Sequence, residues 1–327
     1  MKAVWYEELG PARAVLTFGE MDSPDPGPGD VRVKLHASGV NPADVKRRGL
    51  GTYGMEYPRI IPNSDGAGII DAVGDGVSDI EEGQRVWLFN GQRQGRAFGT
   101  AAEYITLASW LVAPLPDALS FDEGACLGIP CMTGHHNVFS SGPVTGKTIL
   151  VTGGAGAVGH YAVQWARWGG ATVIATVSSD EKAAHAKAAG AHHTVNYRDT
   201  DAADQILELT GGEGVDRVVE VDLAANLDLT ARVLATGGTI SVYATTGDPE
   251  NLMLRMALRN AIVRFMVLHS VPRAAIDHAR ADITAWLTAG NGLHTVAGAF
   301  PLSQCVEAHE FVESGAKLGT VIVRPTE

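Results

Sequence analysis

The stretch VTGGAGAVGHYAVQWARWGG, beginning at Val151, restricts the fold more than any other part of the chain. Gly154, Gly156 and Gly159 fit the pattern G-x-G-x-x-G, with Ala155, Ala157 and Val158 between them. In a chain with 39 glycines the pattern alone carries little weight; its surroundings supply it. The apolar run TILV precedes it, the amphipathic run AVGHYAVQWA follows, and ATVIATV closes a strand–helix–strand unit of about 30 residues at Val177. In such a unit the first glycine permits a tight turn and the second lets backbone approach a pyrophosphate. The third lets helix pack on strand. The helix N-terminus then offers free N–H groups and a positive dipole end to the phosphates. These six residues form the candidate dinucleotide-binding turn.

The end of the second strand decides which dinucleotide. A carboxylate there would hold a ribose 2′-hydroxyl and repel a 2′-phosphate. This chain has Val177, Ser178 and Ser179, and Asp180 and Glu181 fall in the first turn of the next helix, where they complement its dipole. Ser179 is also a natural N-cap for SDEKAAHAKAAG. Two hydroxyls with Lys182 nearby favour NADPH over NADH. Tyr197 and Arg198, at the end of the following strand, are placed to flank the adenine.

Around that unit the chain changes character. Its first part reads as short strands between dense turns: KAVWYEE, RAVLTFGEM, VRVKLHASGV, AGIIDAVG, QRVWLF and AAEYITLAS. From about Lys147, apolar strands alternate with amphipathic helices as far as TISVYAT, the pattern of a parallel sheet covered on both faces. A mixed tail follows, with helix AAIDHARADITAWLTAG, strand TVAGAFPL, helix SQCVEAHEFVESG and strand TVIVRP. The expected architecture is α/β. A β-rich domain spans residues 1–122 and 266–327, and a doubly wound parallel-sheet nucleotide-binding domain is inserted at 123–265. NLMLRMALRNAIVRFMVLHS, apolar at helical spacing, is expected to serve as core and subunit interface.

Composition narrows the partners. The net charge of −12 argues against nucleic acid and anionic membrane. Three cysteines without CxxC spacing leave no disulfide framework and no cysteine-rich zinc lobe. Cys126 and Cys131 are expected to be buried and inert. The adjacent histidines, His135-His136 and His192-His193, point to different faces and read as helix or strand surface rather than metal ligands. MKAVWYEELG offers no signal-peptide pattern, and AIVRFMVL is broken by Arg264, so a cytoplasmic protein is expected.

GVNPADVK, PNSDGAGIIDAVGDGV with GQRVW, AAEYITL, LGIPCMTG, VTGGAGAVG with AVQWAR, VEVDLAANL, LATGGTISVYATTG and PLSQCVEAHEFVESGAKLGTVIV together span nearly the whole chain. In them the chain resembles the medium-chain dehydrogenase/reductase superfamily, within it the zinc-free quinone oxidoreductase and zeta-crystallin branch. The resemblance implies a GroES-like β-rich catalytic domain beside a Rossmann domain, and a homodimer or homotetramer. Zinc-dependent members of that fold carry a cysteine where Asn41 stands and a His-Glu pair where this chain has Asp65-Gly66. The thiolate and imidazole of a catalytic zinc are therefore both absent, and no metal is expected.

Without a metal to polarise it, the hydride acceptor must already be electrophilic. The expected partner is a quinone or, as the alternative, an enoyl or other α,β-unsaturated carbonyl. A third reading, a cofactor-binding structural or RNA-binding zeta-crystallin-like protein, is opposed by the intact glycine turn and the acidic charge. The resemblance implies that Asn41 and Thr133 lie near the nicotinamide, and that Asn226, Tyr243, Ala244 and Thr245 flank the cofactor. It also implies that Lys317 and Gly319 belong to a C-terminal segment closing over it. Tyr53 is a candidate for contacting the acceptor, or else a loop aromatic packed on its own domain. Lys46 either stabilises a developing oxyanion or is solvated.

Overall fold

Alternating apolar residues and dense turns build a β-rich unit from residues 1–130 and 280–327, and residues 131–279 form a second compact unit. Both limits of the inserted unit lie C-terminal to those read from the sequence. The structure is a computed structural model that describes residues 1–50, 54–93 and 95–326.

The first unit opens with strands β1 (Lys2–Trp5), β2 (Thr17–Glu20), β3 (Asp30–Val40), β4 (Asp65–Val73), β5 (Arg85–Leu88), β6 (Tyr104–Ala108) and β7 (Val112–Pro114). Its first helices are α1 (Ala12–Val15), α2 (Pro42–Leu50) and α3 (Phe121–Gly124). The segment RAVLTFGEM thus divides into a helical turn and a short strand instead of one strand. Val31, Val33, Leu35 and Ala37 of β3 are fully buried and alternate with partly or fully exposed polar residues. That is the period-2 pattern of a sheet buried on one face.

The second unit holds α4 (Met132–Phe139), β8 (Thr148–Val151), α5 (Ala157–Trp168), β9 (Thr172–Val177), α6 (Asp180–Ala188), β10 (His193–Asn196) and α7 (Ala202–Leu209). It continues through β11 (Val215–Glu220), α8 (Leu223–Val233), β12 (Leu234–Val242), α9 (Leu252–Ala257) and β13 (Ile262–Phe265). All six strands are parallel, in the order β10-β9-β8-β11-β12-β13. Counted from β8, this is the 3-2-1-4-5-6 order of doubly wound dinucleotide folds, whose strand order reverses between β8 and β11. Leu150, Ile174, Val218 and Ile240, one from each central strand, join Ile206 and Leu223 in its core. The segment expected to be a core helix becomes a six-residue helix and an edge strand. Met253, Leu254, Leu258, Ile262 and Phe265 are exposed there.

The chain returns through α10 (Arg273–Thr288), β14 (Val296–Pro301), α11 (Cys305–Glu313) and β15 (Thr320–Arg324). β15 pairs antiparallel with the end of β3, giving a seven-stranded sheet β14-β15-β3-β4-β5-β7 with β6 also on β3. The tail therefore rejoins the first unit.

A buried polar chain ties α11 to β3 and β4. His309 Nε2 lies 3.0 Å from Asn63 Oδ1, Asn63 Nδ2 donates to Ser38 Oγ, and Ser38 and Thr100 hydroxyls share a hydrogen bond. Thr100 Oγ1 then donates to the Asp65 carbonyl at 2.7 Å. Burial, assisted by Arg48, pushes the His309 imidazole down to about 3 from an ordinary 6.5. Between those values the unfolded chain binds a proton that the folded chain refuses. Stability contributed by neutral His309 is therefore present above pH 6.5 and falls on acidification by about 1.4 kcal/mol per pH unit. His309→Gln keeps a donor for Asn63 but does not titrate. Denaturant melts from pH 7 to pH 5 should show a shallower acid loss in H309Q than in the unmodified chain; equal slopes would exclude His309 as the source.

Candidate functional sites in the two units

In the second unit the glycine turn follows β8 directly. Thr152 N donates to Val219 O, Gly154 N to Thr176 O and Gly153 N to Thr176 Oγ1, so the turn hangs between the ends of β9 and β11. Gly156 is the N-cap of α5 and brings no capping side chain, which leaves the helix N-terminus to a ligand. A Cβ on Gly159 would lie 2.2 Å from Gly153 O, so only glycine lets the helix approach the turn this closely. The cradle fits a pyrophosphate.

At the end of β9 the predicted discriminating residues come together. Lys182 Nζ donates to Ser178 Oγ at 3.1 Å, and Arg198 Nη1 reaches Ser178 O at 3.5 Å. Two cations thus converge on one serine, with no carboxylate on it among the described residues. Ser179 has the capping role: it is the N-cap of α6, and its Oγ accepts from Lys182 N. Asp180 and Glu181 lie in the first turn of that helix. Tyr197 is 46% exposed beside the strand end, its N–H held by Val177 O.

Glu220, at the tip of β11, escapes sequence reasoning. It is fully buried, and its Oε1 accepts from Thr152 Oγ1, Asp222 N and Asn226 Nδ2, while Oε2 accepts from Thr230 Oγ1. Asn226 is thereby fixed on the face of α8 turned to the β11 tip. Desolvation, then the Glu220 carboxylate, hold the Tyr243 phenol protonated above its usual range. Ala244 O accepts from Leu223 N, and Thr245 Oγ1 donates to Gly247 O. Thr133 is buried in α4, its carbonyl accepting from Asn137 Nδ2. His135 is not a surface residue: it is buried, edge-on to Trp165 at 5.0 Å.

In the first unit, Asn41 stands where β3 ends and α2 begins, with Pro42 at the first helical position. Its backbone N–H donates to Asp44 Oδ2 and its Nδ2 donates to Asp65 Oδ2 at 2.7 Å. Asp44 in turn accepts from Ser64 Oγ and Arg93 Nη2 through Oδ1. Asp65 Oδ2 also takes the N–H of Ile129, in the π-helical turn Leu127–Cys131. Burial, reinforced by Asp44, raises the Asp65 carboxyl well above the usual carboxylate range, against hydrogen bonds from Asn41 and Ile129 and the charge of Arg93.

Lys46 is exposed on α2, whereas its neighbours Arg47 and Arg48 are buried, paired with Glu56 and Glu313. The structure does not bring Lys46 to the Asn41 cluster. Lys317 Nζ donates to Gly319 O at 2.8 Å, and burial pushes its amine down to about 8. Tyr53 lies outside the described residues.

The donors around Asn41 do not suit a catalytic zinc: they include no thiolate and no imidazole, the Asp44 carboxylate is committed to Arg93, and Asp65 is driven toward its neutral form. Among the described residues no group of three or more His, Cys, Asp and Glu side chains is arranged to hold a metal. All three cysteines are buried, and burial pushes the Cys126 and Cys305 thiols up to about 12. No helix among the described residues is long and apolar enough to cross a membrane.

Residues 27–117 match the family model described as an alcohol dehydrogenase GroES-like domain, and residues 157–277 the one described as a zinc-binding dehydrogenase. The chain is 32% identical over 328 residues to the quinone oxidoreductase of Rattus norvegicus, covering 99% of this chain and 97% of that protein. It is 30% identical over 336 residues to the 2-haloacrylate reductase of a Burkholderia species, covering 99% of each. Its structure resembles that of Escherichia coli quinone oxidoreductase complexed with NADPH, with TM-score 0.88 and 26% identity over 99% of this chain and 100% of that one.

Proposed function

The chain belongs to the medium-chain dehydrogenase/reductase family and is an oxidoreductase, and from that premise we propose that it is an NADPH-dependent reductase delivering hydride to a quinone. The observation that carries the cofactor is the convergence of Lys182 and Arg198 on Ser178 at the end of β9, where a carboxylate would have favoured NADH. NADPH, when bound, supplies a hydride. The glycine turn, Gly154 to Gly159, and the α5 N-terminus take the pyrophosphate; Ser178, Lys182 and Arg198 take the 2′-phosphate; Tyr197 covers the adenine. Asn226, held by Glu220, and Tyr243, Ala244 and Thr245 line the path toward the nicotinamide. Thr133, Lys317 and Gly319 are assigned to that end of the cofactor, and Asn41 to the reacting group.

The acceptor follows from the chemistry of the donors near Asn41. With no thiolate or imidazole to hold a zinc, the carbonyl to be reduced must be electrophilic unaided, which a quinone is and a simple ketone is not. Similarity to the 2-haloacrylate reductase favours a second reading, reduction of an activated carbon–carbon double bond at the same site. We further infer a cytoplasmic homodimer joined through the exposed apolar edge at Ile262 and Phe265 of β13.

NADPH oxidation against a panel of quinones, enones, haloacrylates and simple ketones tests both readings. Quinones are expected to turn over fastest, ketones not at all, and a chelator to change nothing. Faster turnover of haloacrylates than of quinones would select the second reading, and no turnover with any acceptor would end both.

A further inference from the structure

The Asn41 side chain is held by a buried carboxyl group, that of Asp65. Asp65 is fully buried at the start of β4, and its Oδ2 accepts from both Asn41 Nδ2 and Ile129 N. Its Oδ1 is buried without a hydrogen-bond partner among the described residues. That oxygen faces Gly128, where a Cβ would stand 2.1 Å from it. Gly128 sits at the irregular point of the π-helical turn, with φ −55° and ψ −112°. A π-helical turn at such a place is a recurrent device of functional sites. Here it aims the Ile129 N–H at the carboxyl group. The charged groups acting on Asp65 are Asp44, which opposes its ionisation, and Arg93, which is shared with Asp44.

An unpartnered buried carboxyl oxygen is costly, so the group is retained for what its other oxygen does. We propose that Asp65 is a positioning residue that turns the Asn41 amide nitrogen inward. The Asn41 Oδ1, which points away from Nδ2 within the amide plane, is then the atom offered to a ligand. Asn41 therefore receives a hydrogen-bond donor, of the primary carboxamide or hydroxyl class, and does not donate to a substrate oxyanion as a zinc substitute would. The proposal rests on the assignment of Asn41 to the reacting group. Accepting from Asn41 and Ile129 does not require an ionised Asp65, and burial and Asp44 both oppose its ionisation. An asparagine in its place keeps an acceptor oxygen for Asn41 and Ile129.

Two readouts on the full chain test this, one of them independent of turnover. The side-chain amide signal of Asn41 in 15N-resolved NMR, identified by its loss in N41A, is expected to exchange slowly with solvent. It should exchange about tenfold faster in D65A and return to slow exchange in D65N. In NADPH-dependent reduction, D65A is expected to lower kcat/KM about tenfold. N41A/D65A should be no worse than N41A, because a residue that acts only through Asn41 has nothing left to position. Unchanged Asn41 exchange in D65A, or losses that add in the double variant, would overturn the proposal. If D65A does not fold, D65N decides alone: fast Asn41 exchange in that isostere overturns the assignment and slow exchange supports it. A parent chain that reduces no acceptor would defeat the functional reading, while the exchange measurement still judges Asp65.

Discussion

Replacing Lys182 and Arg198 together by alanine is expected to lower kcat/KM for NADPH about 100-fold and to leave kcat/KM for NADH within about threefold. A hydrogen bond between a cation and a phosphate contributes roughly 1.5–3 kcal/mol. Two of them would give more than 3 kcal/mol, but Arg198 is exposed and Lys182 half-buried, and solvent screens both. A net loss of about 3 kcal/mol corresponds to the stated factor. NADH carries hydroxyl rather than phosphate at this position and loses only a weak contact. Lys182→Ala alone should show the smaller part of the effect, because Arg198 Nη1 still reaches Ser178 O. Salt should weaken NADPH binding in the parent chain more than in the double variant. Equal losses with NADPH and NADH would mean that the two cations support the fold of the strand end and do not read the 2′-phosphate.

The residues of that prediction show what the sequence could and could not disclose. Gly154, Gly156 and Gly159 are legible because the constraint is local: a turn, a close approach and a helix start all lie within six positions. Ser178 is legible for the same reason, since the strand ends at Val177 and the helix dipole claims Asp180 and Glu181. Arg198 is less so. Its place beside Ser178 depends on β10 pairing with β9, a contact between positions 20 apart in sequence. Glu220 and Asp65 are harder still. A carboxylate in a strand reads as a solvent-facing position unless its partners are known, and those partners come from elements as distant as Thr152 and Ile129. Arg47 and Arg48 make the same point beside Lys46. Three consecutive basic residues look alike in sequence, yet two are buried by pairing with Glu56 and Glu313 while the third meets solvent. The helical turn at Ala12–Val15 and the exposed face of α9 are likewise set by packing, which overrides local propensity. His135 is drawn inward by Trp165 for the same reason.

Glu220→Ala is expected to give the largest stability loss of the single changes proposed, about 4 kcal/mol, with a fall in melting temperature of about 6 °C. The carboxylate is fully buried and accepts four hydrogen bonds, three through Oε1 and one through Oε2. Alanine leaves the hydroxyls of Thr152 and Thr230, the Asn226 amide and the Asp222 N–H without that acceptor, at a position shut off from solvent. Desolvated donors left unpaired cost about 1–3 kcal/mol each, and local relaxation recovers part of the sum. Glu220→Gln separates charge from hydrogen bonding. A glutamine Oε1 can still serve Thr152, Asp222 and Asn226, and the Thr230 hydroxyl can rotate to accept from the new amide, so E220Q should lose no more than about 1 kcal/mol. The consequence reaches the cofactor turn through a defined route. Thr152 Oγ1 both donates to Glu220 and accepts from Val221 N at 2.9 Å, which locks the residue entering the glycine turn to the tip of β11. NADPH affinity should therefore fall in E220A even below its melting range, by about tenfold, and stay near the parent value in E220Q. Calorimetry and fluorescence titration of the two variants are the measurements. An E220A chain that melts within a degree of the parent would show that water fills the position as well as the carboxylate does.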